Sequence, residues 1–522
     1  MQFVQLFSLR WRSGAAIAFS VFVGVFVPNH ARAELPSVPP DGGAGRSAGT
    51  VSLRDVLGQA VEGNADLRRA RATVESAAAR ALQSEGQFDF VLSGDGTVSR
   101  RKTPPLTPQD VLSGDTRALT LDLALSRALE SGGNVSLSAQ DVVTRSTLAS
   151  QCGGVAPCSI YGSNLSLTFT QPLLRGFGSE IALMNIREAR IQKDIALLNR
   201  QARASLVIRD VVTAYWEWAY AGDDLEIRRA AVRLADEQRK ATQAQVDVGR
   251  LGAADLAAVD RAIADRSQDV VVAEQSWLNR GLDIERLLGR AVTPDFSSPR
   301  TAEHATPLES ASVAIDTRAE TERALASSPQ LKALRAGQSI SELEIQRALS
   351  LLRPQLDLTG TLSSIGRTKD NFSESWAEVG RMEALNGSIG AAFQWPLQNR
   401  AARGAEMAAR SAGDSSRIDA EDLELGIRDS VVRLSTAIRT GARRGELARQ
   451  AVSYAEVNLR AEQSRFEVGR STNNDVLLRQ QELKSAQIQV VRAATDVAIA
   501  EAALAAVSGD ILDRYQIALR GL

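Results

Sequence analysis

The residues that most often carry catalysis or bind metals are scarce in this chain of 522 residues. It contains two histidines, His30 and His304, and two cysteines, Cys152 and Cys158. His30 lies in a segment that we expect to be removed, and a single histidine builds neither a histidine-based metal site nor a histidine proton relay. The sequence contains no phosphate-binding loop and no metal-ligand constellation, so we expect no catalytic site, no metal site and no cofactor.

The spacing of the two cysteines suits a structural bond. Cys152 and Cys158 are separated by five residues, GGVAP, in a loop of glycine and proline. Redox-active pairs usually have C-x-x-C spacing, and a zinc site would need further ligands nearby. In an oxidising compartment such a pair forms a local disulfide, which we therefore predict.

The N-terminus indicates the compartment. Arg10 and Arg12 precede an apolar run that ends before Pro28, and Ala31–Ala33 reads as a small-residue cleavage motif. This order is typical of a secretory signal peptide, and we predict cleavage after Ala33. The run is shorter than the ~20 residues that a membrane span needs, and no later stretch is long and apolar enough. We therefore expect any passage through a membrane to use β-strands.

Composition argues against two classes of protein. The 61 Lys and Arg residues balance 62 Asp and Glu residues, which disfavours a nucleic-acid binder. A hydrophobic fraction of 44% disfavours a disordered chain. The aromatic fraction is only 5%, and the abundance of Ala, Leu, Arg, Glu and Gln favours long helices.

The chain contains an internal repeat. Asp247–Arg250, followed by Asp255, recurs as Glu467–Arg470, followed by Asp475. Each copy has the same order of a first helix, alternating segments, a very long helix and a shorter helix. We predict a signal peptide (1–33), a first repeat (34–289), a linker (290–317), a second repeat (318–509) and a C-terminal tail (510–522).

Long helices dominate each copy. The segment from Ser179 to Val248 contains one glycine and no proline, which predicts a helix on the order of 100 Å long. It ends at a glycine that can adopt the left-handed conformation that closes a helix. The other predicted helices are Leu53–Glu85, Asp255–Leu288, Ala401–Val468 and Asp475–Val507. Each copy would therefore end in an antiparallel helical hairpin.

Segments with alternating character predict short strands. They are Val91–Ser99, Leu165–Gln171, Leu356–Leu362 and Ser388–Phe393. The first copy has an insertion, within 101–160, in which Thr116–Ser126 and Asn134–Val143 also alternate around a glycine turn. Alternation alone leaves two alternatives for it, and we favour an extracellular flap closed by the disulfide over an extra membrane hairpin.

Several motifs together resemble the TolC-type outer-membrane efflux protein family. They are Gln171–Gly178 (QPLLRGFG), Trp395-Pro396-Leu397, the two V-G-R turns with their following aspartates, and Val476-Leu477. The resemblance covers nearly all of the mature chain. It implies a trimeric transmembrane β-barrel with two hairpins per protomer, twelve strands in all, continued by a long α-helical coiled-coil tunnel in the periplasm.

The resemblance also implies a function and partners. The chain would be the outer-membrane exit duct of a tripartite efflux or type I secretion system in a Gram-negative bacterium, a passive conduit and not an enzyme. Its partners would be two further copies of itself, a periplasmic adaptor, an inner-membrane transporter of the RND, ABC or MFS type, and outer-membrane lipid, with no nucleic acid. A periplasmic coiled-coil adaptor or scaffold is the alternative, although the duplication argues against it.

The two turns carry the site residues that the resemblance implies. The adaptor-docking tips would be Val248, Gly249 and Arg250 in the first copy, and Val468, Gly469 and Arg470 in the second. The periplasmic gate would involve Asp475, Asp255, Phe466 and Arg470. Carboxylates that face one axis in three copies would attract cations. Both aspartates also begin a helix after a glycine turn, so they can equally serve as helix caps.

This sequence departs from the family pattern at three gate positions. A second gate aspartate of the family falls on Leu478, a locking tyrosine falls on Phe466, and a locking arginine falls on Ser471 beside Arg470. Phe466 has no hydroxyl group, so the closed tip would be held differently from that of the best-known member. The transported substrate is not evident from the sequence.

Overall fold

The computed structural model describes residues 51–104, 114–147, 152, 157–292, 315–369 and 371–518. The predicted signal peptide (1–33) and most of the predicted linker (290–317) lie outside these residues. In chain order the elements are α1 (Leu53–Gly63), α2 (Ala65–Glu85), β1 (Val91–Thr103), β2 (Gly114–Ala128), β3 (Asn134–Ser146), β4 (Cys158–Pro172), α3 (Ser179–Ala182), α4 (Met184–Asp247), α5 (Ala253–Leu287), α6 (Thr317–Ser327), α7 (Pro329–Leu351), β5 (Gln355–Thr368), α8 (Phe372–Arg381), β6 (Leu385–Gln394), α9 (Arg400–Glu467), α10 (Asn473–Ser508) and α11 (Ile511–Arg514).

The predicted long helices are present. α4 has 64 residues and α9 has 68, so each is about 100 Å long at 1.5 Å per residue. α5 packs back along α4, and α10 packs along both α9 and α4. Towards the sheet, α2 packs on α4, and α7 packs on α4 and α9. None of the described helices combines the length and the apolar composition needed to cross a membrane.

The prediction of one helix from Leu53 to Glu85 is wrong, because Asn64 interrupts it. Asn64 has an extended backbone (ψ 128°), and its side-chain oxygen accepts a hydrogen bond from Asp66 N at 2.8 Å. It therefore caps α2, as asparagine commonly does. Its amide also donates to Leu287 O at 2.9 Å, which ties this break to the end of α5. Ser328 makes the corresponding break between α6 and α7.

The largest buried cluster surrounds the middle of α4. Tyr215 is 1% exposed there, and its hydroxyl donates to Val51 O at 3.2 Å. Apolar residues of α1, of the ends of α5 and α10, and of α11 pack against this part of α4. Most members of the cluster are Ala, Val, Ile or Leu.

The six strands in the described part of the chain form a single antiparallel sheet in the order β1-β2-β3-β4-β5-β6. The expectation of two hairpins per chain is therefore wrong, because the sheet contains three. The interpretation of the insertion as an extracellular flap is also wrong. β2 pairs with β1 from Thr103↔Gly114 to Val91↔Ser126, and β3 pairs with both β2 and β4 over its full length. The insertion thus supplies a third hairpin of the sheet. The alternation that it shares with the other strands was compatible with either location.

The two faces of the sheet differ in chemistry. The register places large apolar residues on one face, where they are exposed. They include Leu92, Val98, Leu119, Leu121, Leu123, Leu125, Leu137, Leu165, Leu167, Phe169, Leu362, Leu385 and Ile389. The opposite face carries mainly small polar side chains, with hydroxyl pairs such as Ser138–Ser166 at 2.7 Å. A sheet with an exposed apolar face and a polar opposite face is typical of membrane strands that line an aqueous lumen.

Candidate functional site

The first helical tip joins α4 to α5. Gly249 has φ +72°, the left-handed conformation that a residue with a Cβ rarely adopts. The turn closes through Gly249 N to Val246 O at 2.9 Å and Arg250 N to Gln245 O at 2.9 Å, a Schellman-type ending. At the start of α5, Gly252 N donates to Asp255 Oδ2 at 3.0 Å. Asp255 therefore acts as a helix cap in this structure.

The second tip joins α9 to α10 through the same turn with a stronger cap. Gly469 has φ +76°, and its N–H donates to Phe466 O at 3.0 Å. Thr472 Oγ1 accepts from Asp475 N at 3.3 Å, while Thr472 N donates to Asp475 Oδ2 at 3.2 Å. This reciprocal pair is a complete capping box. Gly252 has no side chain, so the first tip has only one half of such a box.

The hydrogen bonds at the second tip affect the ionisation of its aspartate. The side chain of Thr472, followed by its backbone N–H, holds the pKa of Asp475 below the usual value for an aspartate. Because the folded-state pKa is depressed, the carboxylate stabilises this tip at pH values above the ordinary aspartate range. That contribution is lost as the pH falls through the folded-state pKa.

The other predicted tip residues divide into exposed and buried groups. Val248 and Val468 are each 68% exposed, and Arg250 and Arg470 are also exposed, so both turns present their V-G-R residues to solvent. Phe466 is only 2% exposed and packs with Leu459, Val476 and Leu483. It therefore belongs to the core of the second tip. Among the positions that depart from the family pattern, Leu478 is 49% exposed, and the Ser471 hydroxyl donates to Glu462.

A buried polar layer joins the first hairpin to α10. Asn473 Oδ1 accepts hydrogen bonds from Gln238 Nε2 and Thr242 Oγ1, each at 2.7 Å. Nearer the turn, Gln245 Nε2 donates to Phe466 O at 3.3 Å. Gln238, Thr242 and Asn473 are all buried, so these bonds are shielded from water. The two tips of one chain are consequently linked to each other as well as closed individually.

Arg266 is a buried charged residue next to this layer. It is 7% exposed, and its Nη1 donates to Gln480 Oε1 at 2.7 Å and to Ala231 O at 2.9 Å. Burial lowers the pKa of the guanidinium from its ordinary value. Arg266 is not among the residues predicted from the sequence, although its position carries a signal. Arg266 follows Val259 and Ile263 at helical spacing, so a charged side chain occupies a position on the packing seam.

The two cysteines lie at the end of the sheet that is farthest from the long helices α4 and α9. The structure joins Cys152 to Cys158 by a disulfide at the start of β4. Lys369 directly follows β5, and its Nζ donates to Cys152 O at 3.2 Å. No group of three His, Cys, Asp or Glu residues that could hold a metal ion occurs in the described part of the chain.

A family model of outer membrane efflux proteins matches residues 162–290 and 321–510, more than half of the chain. The chain belongs to this outer membrane efflux protein family. The match includes most of β4, both long helices and both tips. No curated protein matches the chain significantly.

Solved structures of outer-membrane channels have the same fold as this outer membrane efflux protein. The channel OprN is 18% identical with a TM-score of 0.63, and the alignment covers 88% of this chain and 90% of OprN. CmeC of Campylobacter jejuni is 15% identical with a TM-score of 0.63, and the alignment covers 88% of this chain and 86% of CmeC. CusC is 14% identical with a TM-score of 0.66, and the alignment covers 87% of this chain and 91% of CusC. At these identities the likeness establishes the fold of this family member.

Proposed function

We propose that this outer membrane efflux protein is the exit duct of a tripartite efflux or type I secretion system. It would act as a passive conduit for substrates that an inner-membrane pump expels, and not as an enzyme. The observation that carries the proposal is the sheet with an exposed apolar face and a hydroxyl-rich opposite face, continued by helices about 100 Å long. Such a sheet can face lipid on one side and water on the other.

We propose that the duct is a homotrimer. β1 and β6 are the edge strands, and all of their residues are exposed in the single chain. Unpaired edges are unfavourable in a membrane, and closing the sheet removes them. If β6 of one copy pairs with β1 of the next, three copies of six strands give an eighteen-stranded barrel. The family resemblance alone implied twelve strands, so the third hairpin would widen the pore.

The two tips support a proposal for docking and gating. The exposed turns Val248–Arg250 and Val468–Arg470 would contact a periplasmic adaptor, which in turn binds an inner-membrane transporter of the RND, ABC or MFS type. Asp475 and Asp255 would line the periplasmic entrance in addition to capping their helices. Phe466 and Arg470 would hold the second tip closed, Phe466 from inside the tip and Arg470 at its surface.

Ion selectivity tests the role of Asp475. Three Asp475 carboxylates around one axis would favour cations, so Asp475→Ala should lower the cation-to-anion permeability ratio. Reversal potentials in a salt gradient measure this ratio in single channels. Asp475→Glu keeps the charge and serves as the control. A ratio that is the same in Asp475→Ala and wild type would contradict the gate proposal.

Membrane fractionation tests the duct against its alternative, a periplasmic adaptor or scaffold. Cells that express the full-length chain should yield it in the outer-membrane fraction, as a band that shifts from trimer to monomer on heating in SDS. N-terminal sequencing of the same material should begin at Glu34 if the signal peptide is cleaved after Ala33. An adaptor would not form a heat-sensitive, SDS-resistant trimer in the outer membrane. The exposed apolar face of the sheet already disfavours that class.

A further inference from the structure

Three arginines lie side by side on the exposed apolar face of the sheet. Arg100 on β1 is directly opposite Arg117 on β2, which is directly opposite Arg145 on β3. The side chains of Arg100 and Arg117 are 59% and 63% exposed, and Arg145 is also exposed. We call these three residues the arginine row. It lies at the end of the strands that is farthest from the long helices α4 and α9.

The arginine row borders a band of apolar side chains. The next residues on the same face, towards the helices, are Val98, Leu119 and Val143. β2 shows the full band, since Leu119, Leu121, Leu123 and Leu125 lie between Arg117 and Arg127.

The length of this band matches a membrane. Ten residues of strand span about 34 Å, and a tilt of about 40° reduces this to a height of roughly 25 Å. That is about the height of the lipid-facing apolar band in outer-membrane barrels. The arginine row would therefore lie at the level of the lipid headgroups.

The row carries more positive than negative charge, since in the described part of the chain its three arginines have one neighbouring carboxylate, Asp115. Arg100 Nε donates to Asp115 Oδ1 at 2.9 Å, and Arg117 Nη2 is 3.7 Å from Asp115 Oδ2. Asp115 therefore offsets part of the repulsion between Arg100 and Arg117, whereas among the described residues no carboxylate pairs with Arg145. Like charges directly opposite each other on neighbouring strands repel and destabilise the pair. A phosphate group at the row would offset this repulsion, because guanidinium groups bind phosphate through paired hydrogen bonds.

Helix α8 covers the neighbouring strands at the same end of the sheet. It packs against β4 and β5, where the buried Ser375 hydroxyl lies 2.7 Å from Ser163 Oγ and Ser364 Oγ donates to Val379 O at 2.8 Å. Ser163 and Ser364 are on the same face as the apolar band. The arginine row is therefore on the part of this face that α8 leaves open.

We propose that Arg100, Arg117 and Arg145 bind the phosphate groups of phosphorylated glycolipids in the outer leaflet of the outer membrane. This proposal rests on the proposed function, which places the sheet in that membrane with its helices in the periplasm. The lipid chains would pack on the leucine band, and the phosphates would lie on the row. The row would thereby fix the depth of the sheet in the membrane and link the channel to its surrounding lipid.

Native mass spectrometry of the full-length channel in detergent tests the proposal. The probes are lipid A with two phosphates and the same lipid with both phosphates removed. Wild type should bind the phosphorylated probe at least tenfold more tightly than the dephosphorylated one. Joint replacement of Arg100→Gln, Arg117→Gln and Arg145→Gln should weaken binding of the phosphorylated probe about tenfold or more, since charge-assisted hydrogen bonds are lost.

Two control variants keep the test specific. Arg101→Gln removes a charge from the opposite face of β1, where Arg101 pairs with Thr116, and should leave lipid binding unchanged. Replacing the three row arginines by lysine keeps the charge and should retain more binding than the glutamine variant, which separates lost charge from lost folding. Equal affinity for the two probes, or equal affinity of wild type and the glutamine variant, would overturn the lipid proposal. Outer-membrane fractionation and conductance of wild type report on the proposed function independently of these affinities.

Discussion

The two helical tips have the same turn but are held by different interactions. In both, a left-handed glycine closes the long helix and an aspartate caps the short one. The second tip adds the Thr472 side chain to its cap and buries Phe466, whereas the first has Gly252 and the half-buried Val246 at the corresponding positions. The glycine therefore determines the shape of the turn, and the neighbouring side chains determine how firmly it is held.

The first tip depends more on contacts outside its own hairpin. Leu251 packs on the apolar cluster of the second tip, and Gln245 donates to Phe466 O. Arg266 on α5 donates a hydrogen bond to Gln480 on α10. The residue at the corresponding position of the second copy is Ala486, which has no side-chain donor. We infer that the second tip is the more stable of the two and that it supports the first.

Phe466→Ala should have the largest effect on the difference in stability between the two tips. Removing a buried phenylalanine side chain leaves a cavity and typically costs about 3 kcal/mol, which is on the order of a 100-fold loss of protection in local opening. Hydrogen exchange of the amides in both tips of the purified channel measures this loss. Protection should fall at the second tip and, through Leu251 and Gln245, at the first.

Two valine variants are the controls for Phe466→Ala. Val468→Ala, at a position that is 68% exposed, should leave protection nearly unchanged. Val246→Ala, at the corresponding half-buried position of the first tip, should have an intermediate effect that is confined to the first tip. Equal effects of Phe466→Ala and Val246→Ala would contradict the asymmetry.

Arg266→Ala should have the next largest effect, and mainly on the first hairpin. The change leaves Gln480 Oε1 and Ala231 O without a buried donor, at a cost of about 2 kcal/mol. Exchange protection along α5 should fall about 30-fold, with a smaller loss along α10. Arg261→Ala is the matched control, because the side chain of Arg261 is 84% exposed on the same helix. If both variants behave alike, the buried layer does not hold the hairpin.

Thr472→Ala should weaken the second tip by about 1 kcal/mol, since it removes the side chain that caps α10. The expected result is a roughly fivefold loss of protection in the first turn of α10. Thr472→Ser preserves the hydroxyl and should behave as wild type. Loss of protection in Thr472→Ser as large as in Thr472→Ala would mean that the hydroxyl does not act as a cap.

Gly252→Ser should have the smallest effect and the opposite sign. The backbone of Gly252 is extended, with φ −97° and ψ 165°, which any residue can adopt, and a Cβ there would have space. The new hydroxyl would complete the capping box with Asp255 and stabilise the first tip by a few tenths of a kcal/mol. Protection at the start of α5 should rise slightly. A fall in protection would show that the missing cap does not explain the weaker first tip.

The sequence was sufficient to predict the long helices, both tips and the location of the strands. Glycine and proline residues just outside α4 and α9 indicated where these helices begin and end, and the V-G-R repeat indicated both turns. The break at Asn64 was missed because an asparagine inside an apolar helical pattern is compatible with either a continuous or an interrupted helix. Its contact with Leu287 O, far away in the chain, favours the interruption.

The number of strands and the environment of Phe466 could not be predicted from local patterns. β2 and β3 alternate as a solvent-exposed flap would, and only their pairing with β1 and β4 makes them part of the sheet. Phe466 was assigned to the gate from its position in a family pattern, but its burial depends on Val476 and Leu483 of the facing helix. Arg266 was missed because a charged residue on a seam is identified only when its buried partners are known.

Single-channel recording in planar bilayers tests the central claim, that the assembled chain is a water-filled duct. Purified full-length protein should insert as discrete, uniform conductance steps, and the conductance should exceed that expected for a twelve-stranded pore if eighteen strands close the barrel. Phe466→Ala, which loosens the tips, should raise the conductance of each step. A protein that fractionates with the outer membrane and forms SDS-resistant trimers, yet gives no discrete steps in wild type or in Phe466→Ala, would contradict the account.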